Sequence, residues 1–160
     1  MSDIPDTSEI TVTTKDNELT LEEMSEALPD TATIMTRVGE CWWHLIYAAR
    51  GGNWGLAEYY LRRVVKLENG LVTLRPKHAE RMARFQQAAV PPVVAAMEAQ
   101  DLAALETAYQ AATDMANQLH GESGYPYIRW QLPQEPPKGL DLGPVVQAAA
   151  TKASGNGRVH

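Results

Sequence analysis

The sequence has one cysteine, Cys41, and one phenylalanine, Phe85, among its 160 residues. A single cysteine excludes an internal disulfide and any metal site built from several cysteines. The shortage of phenylalanine beside abundant alanine favours helices over a β-sandwich. No apolar run approaches the roughly 18 residues that a membrane-spanning helix needs, so we expect no membrane partner.

Basic residues are scarce at the start of the chain. Residues 1–30 hold nine acidic residues and one lysine, whereas the remainder holds 11 acidic and 13 basic residues. The net charge of −6 therefore lies in an acidic leader, a distribution that argues against nucleic acid as a partner. No basic stretch followed by an apolar one opens the chain, so we expect a cytoplasmic protein without a secretory signal.

Two apolar stripes with helical spacing lie close together in the first half of the chain. The stripe residues are Ile34, Val38, Cys41, Leu45 and Ala48, then Ala57, Leu61, Val64 and Leu67. They predict two amphipathic helices over about residues 31–50 and 53–68. Gly70 is expected to end the second, with residues 71–74 extended or irregular. The short connection Gly51-Gly52-Asn53 suits a left-handed cap followed by an N-cap, and it predicts an antiparallel helical hairpin.

Proline, glycine and capping residues mark further helices. Pro76 suits the first turn of a third helix, which Pro91-Pro92 should kink or restart because proline has no backbone N–H. Asp30 suits the N-cap of the helix over residues 31–50, and Asp101 suits that of a fourth helix that His120-Gly121 closes. Ahead of the hairpin, Thr20 and Glu23 have capping-box spacing and predict a short helix.

We therefore predict an all-α protein, an antiparallel four-helix bundle with a short N-terminal helix and an extended C-terminal strap. The strap is residues 124–137 (GYPYIRWQLPQEPP), whose prolines and aromatic residues are typical of extended chain. A single domain is predicted over residues 20–150, with one or two helical turns over residues 145–150. A mobile acidic tail over residues 1–19 and a frayed tail over residues 151–160 flank it.

Three of these features together resemble bacterial four-helix-bundle proteins related in shape to cytochrome c′. Residues 47–59 (YAARGGNWGLAEY) resemble their first hairpin, Pro91-Pro92 resembles their proline-broken third helix, and residues 124–128 (GYPYI) resemble their strap. The resemblance covers about residues 37–137. In that family the fourth helix ends in Cys-x-x-Cys-His, which holds haem through two thioethers and ligates its iron through the histidine.

The corresponding residues 116–120 read ANQLH, so both cysteines are missing and only His120 remains. Covalent haem is therefore excluded, and the resemblance implies a bundle that has lost it. His120 has three open roles: an axial ligand of non-covalent haem b, a cap for the last helical carbonyls, or a polar group in a small-molecule pocket. No other cofactor or metal is expected.

Aromatic residues are concentrated in the hairpin and the strap, where they either pack the core or line a pocket for a flat, apolar molecule. The predicted ligand-binding residues are His120, Trp43, Tyr47, Trp54, Tyr109, Tyr125, Tyr127 and Arg129. Among them Arg129 is suited to clamp an anionic group.

His44 lies one helical turn after Glu40, a spacing that lets a carboxylate orient an imidazole. The pair is a candidate general base with its orienting group, and equally an ordinary surface pair. The leading prediction is non-covalent binding of a small aromatic or planar molecule. The alternatives are a cofactor-independent acid–base enzyme using His44 and Glu40 or His120, a haem b protein, and a structural module that forms a homodimer.

Overall fold

The computed structural model describes residues 10–145, and helices dominate them. The helices are α1 (Leu21–Ala27), α2 (Thr31–Arg50), α3 (Trp54–Leu74), α4 (Ala79–Ala88), α5 (Val90–Glu98) and α6 (Leu102–Glu122). A 3-10 turn, Pro76–His78, precedes α4, and two short strands are β1 (Thr11–Thr13) and β2 (Glu18–Thr20). The mostly helical class agrees with the prediction.

The two strands form a β-hairpin where the sequence predicted a mobile tail. They pair antiparallel, with Thr11 opposite Thr20 and Thr13 opposite Glu18. The Thr14 hydroxyl closes the turn by donating to the carbonyl of Asn17 at 2.8 Å. Threonine favours strands and asparagine favours turns, a local signal that the acidic composition obscured. The predicted turns and tail beyond residue 145, and residues 1–9, lie outside the described residues.

Four helices begin at the residues predicted to cap them. The side chains of Thr20, Asp30, Asn53 and Asp101 each accept a hydrogen bond from the backbone amide three residues ahead. These bonds satisfy amides that have no partner inside a helix. Between α2 and α3, Gly52 adopts the predicted left-handed conformation, with φ of +83°.

Two helices are longer than predicted, each passing through a glycine that was expected to end it. α3 runs through Gly70 to Leu74, although residues 71–74 were predicted to be extended or irregular. Leu71 is buried, so its packing outweighs the low helix propensity of Gly70. α6 runs through Gly121 to Glu122, and Gly124 takes the left-handed φ of +87° beyond its end.

The predicted break at Pro91-Pro92 is present. α4 ends at Ala88, and α5 begins at Val90 with both prolines in its first turn. A proline there costs no helical hydrogen bond, because first-turn amides have no partner within the helix.

The core lies among helices α2 to α6, which we call the helical body. α2 packs along α3, and α6 packs against α2, α4 and α5. The largest fully buried side chains are Leu45, Ile46, Val64, Leu71, Val93 and Leu105. Within residues 10–145, every helix is too short or too polar to cross a membrane.

The strap, residues 124–137, is irregular chain that lies against α2. Trp43 Nε1 donates to the carbonyl of Glu135 at 3.0 Å, and the Tyr47 hydroxyl donates to the carbonyl of Pro133 at 2.8 Å. Both aromatic side chains lie on the same face of α2, one turn apart, so that face is the one the strap covers.

Trp130 anchors the strap to a second helix. Asn117 of α6 donates to the Trp130 carbonyl at 2.8 Å and accepts from its amide at 2.7 Å. The Trp130 ring lies against Gly39 of α2, where an added Cβ would overlap the ring. Trp130 is therefore held between α2 and α6.

Candidate functional site

A cavity of about 400 Å³ lies within the helical body. It is bordered by the first half of α2, the second half of α3, the 3-10 turn with α4, the second half of α6, and the strap. Its apolar walls include Val38, Trp42, Leu71, Met82, Phe85 and Leu119. The volume falls within the roughly 300–1,000 Å³ typical of small-molecule sites.

Trp42 forms a wall whose position is fixed by its neighbours. Trp42 Nε1 donates to Thr113 Oγ1 at 3.0 Å, and the Thr113 hydroxyl donates to the carbonyl of Tyr109 at 2.8 Å. The rings of Trp42 and Tyr109 stack with centroids 4.7 Å apart and planes inclined by 10°. Because the Trp42 N–H and the Thr113 hydroxyl both have partners within the protein, the wall is formed before any ligand arrives.

Glu68 places a buried carboxyl group at the cavity. Glu68 is only 2% exposed, and Gln86 Nε2 donates a hydrogen bond to Glu68 Oε2 at 3.0 Å. Within residues 10–145 it forms no ion pair. Burial raises the pKa of Glu68 to about 7, and the hydrogen bond from Gln86 partly opposes that rise. Near neutral pH this carboxyl can therefore donate or accept a hydrogen bond.

Two imidazoles complete the polar part of the lining. His78, in the 3-10 turn, and His120, in the last turn of α6, both border the cavity. His78 Nε2 and His120 Nδ1 are buried and have no hydrogen-bond partner in the part of the chain that the structure describes. Burial lowers the pKa of both side chains; nearby basic groups lower that of His78 further, and a hydrogen bond with the Ile128 backbone opposes the shift at His120. Each neutral ring leaves one nitrogen free for a bound molecule.

Only His120 and Tyr125, of the predicted ligand-binding residues, line the cavity. Trp43 and Tyr47 instead hold the strap through the hydrogen bonds described above. The reason is helical geometry: Trp43 points about 100° away from Trp42, so only one of the two adjacent rings can face the interior.

The other predicted ligand-binding residues lie outside the cavity lining. Tyr109 is buried behind Trp42, and Trp54 packs against the core. Tyr127 is 76% exposed, and Arg129 is exposed as well. Burial of these side chains depends on where the strap crosses the helices, which local sequence does not specify.

Glu68 and His78 were not identified from the sequence. A signal for Glu68 was present, because Ala57, Leu61, Val64 and Leu71 mark the buried face of α3 and Glu68 continues their spacing. A carboxylate at an apolar stripe position is a candidate for a functional group. No comparable signal marks His78, since its position depends on the 3-10 turn.

The predicted catalytic pair lies outside the cavity lining. Glu40 accepts a hydrogen bond from Arg37 Nη1 at 2.6 Å. The His44 ring packs against those of Trp43 and Tyr60, with centroids 5.1 and 5.0 Å away. Burial lowers the pKa of His44, and the nearby Glu40 carboxylate opposes that shift. His44 and His120 do not share a site, and catalysis by the pair stays a prediction.

Comparisons with protein-family models, with curated proteins and with solved structures find no match to this chain. Among residues 10–145, no group of three or more His, Cys, Asp or Glu side chains is arranged to hold a metal ion. The site is thus defined by its geometry: a small apolar chamber in a mostly helical protein, with one buried carboxyl and two imidazoles in its lining.

Proposed function

We propose that this protein binds a compact, mainly apolar molecule non-covalently in the cavity. The observation that carries the proposal is an apolar chamber of about 400 Å³ bordered by two buried nitrogens, His78 Nε2 and His120 Nδ1, that have no partner among residues 10–145. A buried polar group without a partner costs about 1–3 kcal/mol. A ligand that hydrogen-bonds to these nitrogens would remove that cost, and a ring would pack well against Trp42 and Phe85.

The architecture that we propose around this chamber is an up-and-down four-helix bundle in which α4 and α5 together form the third member. Two observations support it. Only three residues connect α2 to α3, and the cavity is bordered by the first half of α2, the second half of α3, the start of α4 and the second half of α6. When successive helices run antiparallel, the beginning of one helix lies beside the end of the next, which is the arrangement found around the cavity. We also propose that this bundle is related in shape to the cytochrome c′-like proteins that the sequence resembles.

Binding of the uncharged aromatic dye N-phenyl-1-naphthylamine tests the proposal. Its fluorescence should rise with protein concentration and saturate at one dye per chain. Ala116→Phe introduces a ring into the cavity wall and should weaken binding about tenfold or more, because a close-packed site cannot hold both groups. Ala111→Phe, on the exposed side of the same helix, is the matched control and should bind as the native chain does.

Native mass spectrometry of protein purified from cells extends the test to the natural ligand. A mass excess that is lost in Ala116→Phe and kept in Ala111→Phe would support the proposal. Dye fluorescence that never saturates, and that is equal in both variants, would place the dye on the surface and overturn it.

Haem b is the second candidate, favoured by the unpartnered nitrogen of His120 at the cavity. Neutral imidazole is a common axial ligand of haem iron, so the donor chemistry fits. Haemin added to the purified protein should then give a shifted Soret band that is lost in His120→Ala and kept in His44→Ala. Identical spectra in the two variants would exclude His120 as the ligand.

A further inference from the structure

Two permanent positive charges border the cavity. Its lining contains the cationic side chains of Lys77 and Arg81 and one acidic side chain, Glu68, whose raised pKa favours the uncharged form. His78 and His120 border it as neutral rings, because burial lowers the pKa of both. Such a distribution selects among ligands by charge, since positive groups at a cavity favour an anion over a cation of the same shape.

Both cationic side chains, and His78 beside them, come from one short stretch, the 3-10 turn and the beginning of α4. Lys77 and Arg81 are four residues apart and therefore one helical turn apart on the same side. Within residues 10–145 neither is paired with an acidic side chain. Their positive charges contribute to the lowered pKa of His78, which lies between them in sequence.

Charge and apolar surface occupy different depths of the cavity. Lys77 is exposed and Arg81 is half-buried, so the positive groups lie toward solvent. Trp42 and Phe85 are buried, and they form the interior. Glu68 is also deep, and it is uncharged in its protonated form, so it offers a hydrogen bond to the inner end of a ligand.

We infer that the bound molecule is a small carboxylic acid with an apolar, ring-sized body. Its carboxylate lies at Lys77, His78 and Arg81, and its body is enclosed against Trp42 and Phe85. This inference rests on the proposed function and adds the charge of the ligand to it. In this position the carboxylate of the ligand is paired with cationic side chains and stays partly hydrated, while its apolar body is transferred from water into the cavity.

Three ligands with the same body and different charge test the inference separately from the proposed function. They are 3-phenylpropanoate, 3-phenylpropanamide and 3-phenylpropylamine, which are anionic, neutral and cationic. Displacement of bound N-phenyl-1-naphthylamine gives the Kd of each. We expect the acid to bind about tenfold more tightly than the amide, because hydrogen bonds to charged groups are stronger than neutral ones, and the amine to bind most weakly.

A pair of double variants assigns the preference to particular residues. Lys77→Gln with Arg81→Gln removes two positive charges at the cavity, and it should lower the affinity for the acid to that for the amide. Arg63→Gln with Lys66→Gln removes two charges from exposed positions on α3 outside the cavity lining. This control has the same net charge and should keep the preference.

The outcomes are distinguishable. Equal affinity for all three ligands, with dye binding intact, would overturn the inference and leave the proposed function in place. A preference for the amine would do the same and would make Glu68 the anchoring group. An acid preference that survives the loss of Lys77 and Arg81 would overturn the placement of the carboxylate. Failure of the dye and all three ligands to bind would overturn both proposals.

Discussion

Glu68 is a buried acid that has no cationic partner among residues 10–145. Its neighbours along the α3 stripe are apolar, and the side-chain amide of Gln86 donates a hydrogen bond to its carboxyl group. Removing a carboxylate from water costs free energy unless the group is paired or protonated. The folded protein must therefore lose stability wherever solution pH requires Glu68 to ionise.

The sign of that effect follows from the raised pKa. The side chain titrates near 4.5 when it is free and at about 7 in the fold, so its stabilising protonated form is fully present below pH 4.5 and is lost as pH rises through 7. The difference corresponds to about 3 kcal/mol of unfolding free energy. Glu68→Gln should match the native chain near pH 4 and exceed its unfolding free energy by about 3 kcal/mol near pH 8.

Urea unfolding at a series of pH values measures this difference. Glu98→Gln, at an exposed position on α5, is the control and should follow the native chain throughout. If the Glu68→Gln and native curves were parallel between about pH 5 and pH 8, Glu68 would not be the group that titrates.

Single residues also show what local sequence can and cannot specify. The N-caps Asp30, Asn53 and Asp101 were predicted correctly, because a cap acts on an amide three residues away. Which of two adjacent tryptophans faces a cavity depends on neighbouring helices. Trp42 was left out of the predicted site for that reason, and Trp43 was put in it.

At the scale of the elements, the contact between α2 and the strap depends on a missing side chain. The Trp130 ring occupies the space over Gly39, and Asn117 holds the Trp130 backbone in place. Gly39 is therefore required for close approach rather than for backbone freedom. By contrast, apart from its chain neighbours and the backbone of its own helix, no part of residues 10–145 lies within 4 Å of the place where a Gly70 Cβ would stand.

Alanine substitutions at these two glycines should have opposite effects. Gly70→Ala should stabilise the protein by about 0.5–1 kcal/mol, because alanine loses less backbone entropy in a helix. Gly39→Ala has the same favourable effect on backbone entropy, but its methyl group displaces the Trp130 ring. It should therefore destabilise the protein by about 1–3 kcal/mol. Urea unfolding followed by circular dichroism gives both values, and a stabilised Gly39→Ala would show that the ring can move aside freely.

The end of α3 shows why a helix end is hard to predict from sequence. It was placed too early because a glycine inside a helix costs only about 1 kcal/mol, which the burial of Leu71 exceeds. The break before Pro91 was predicted correctly, since no packing restores a missing N–H.

The whole molecule builds its cavity from five separate parts of the chain, between Thr31 and Trp130. No short-range pattern reports such a juxtaposition. The sequence therefore predicted a mostly helical protein and a pocket, but only two of the residues that line that pocket. Glu68, His78 and Trp42 come together through packing alone.

A filled cavity should stabilise the entire fold. Because the ligand binds only the native state, N-phenyl-1-naphthylamine at about 100 times its Kd should add about 2.7 kcal/mol to the unfolding free energy. Thermal unfolding should show a higher Tm for the native chain and for Ala111→Phe, and no change for Ala116→Phe. An equal rise in all three would mean that the dye stabilises the protein from outside the cavity.

The attachment of Trp130 to Asn117 and Gly39 has a consequence for biosynthesis. Chains emerge from the ribosome amino end first, so helices α2 to α6 are available to pack before residues 124–137 have been translated. Until then the chamber lacks its Trp130 wall. If the cavity holds the proposed ligand, a nascent polypeptide would acquire it only after the strap has docked, as one of the last steps in its maturation.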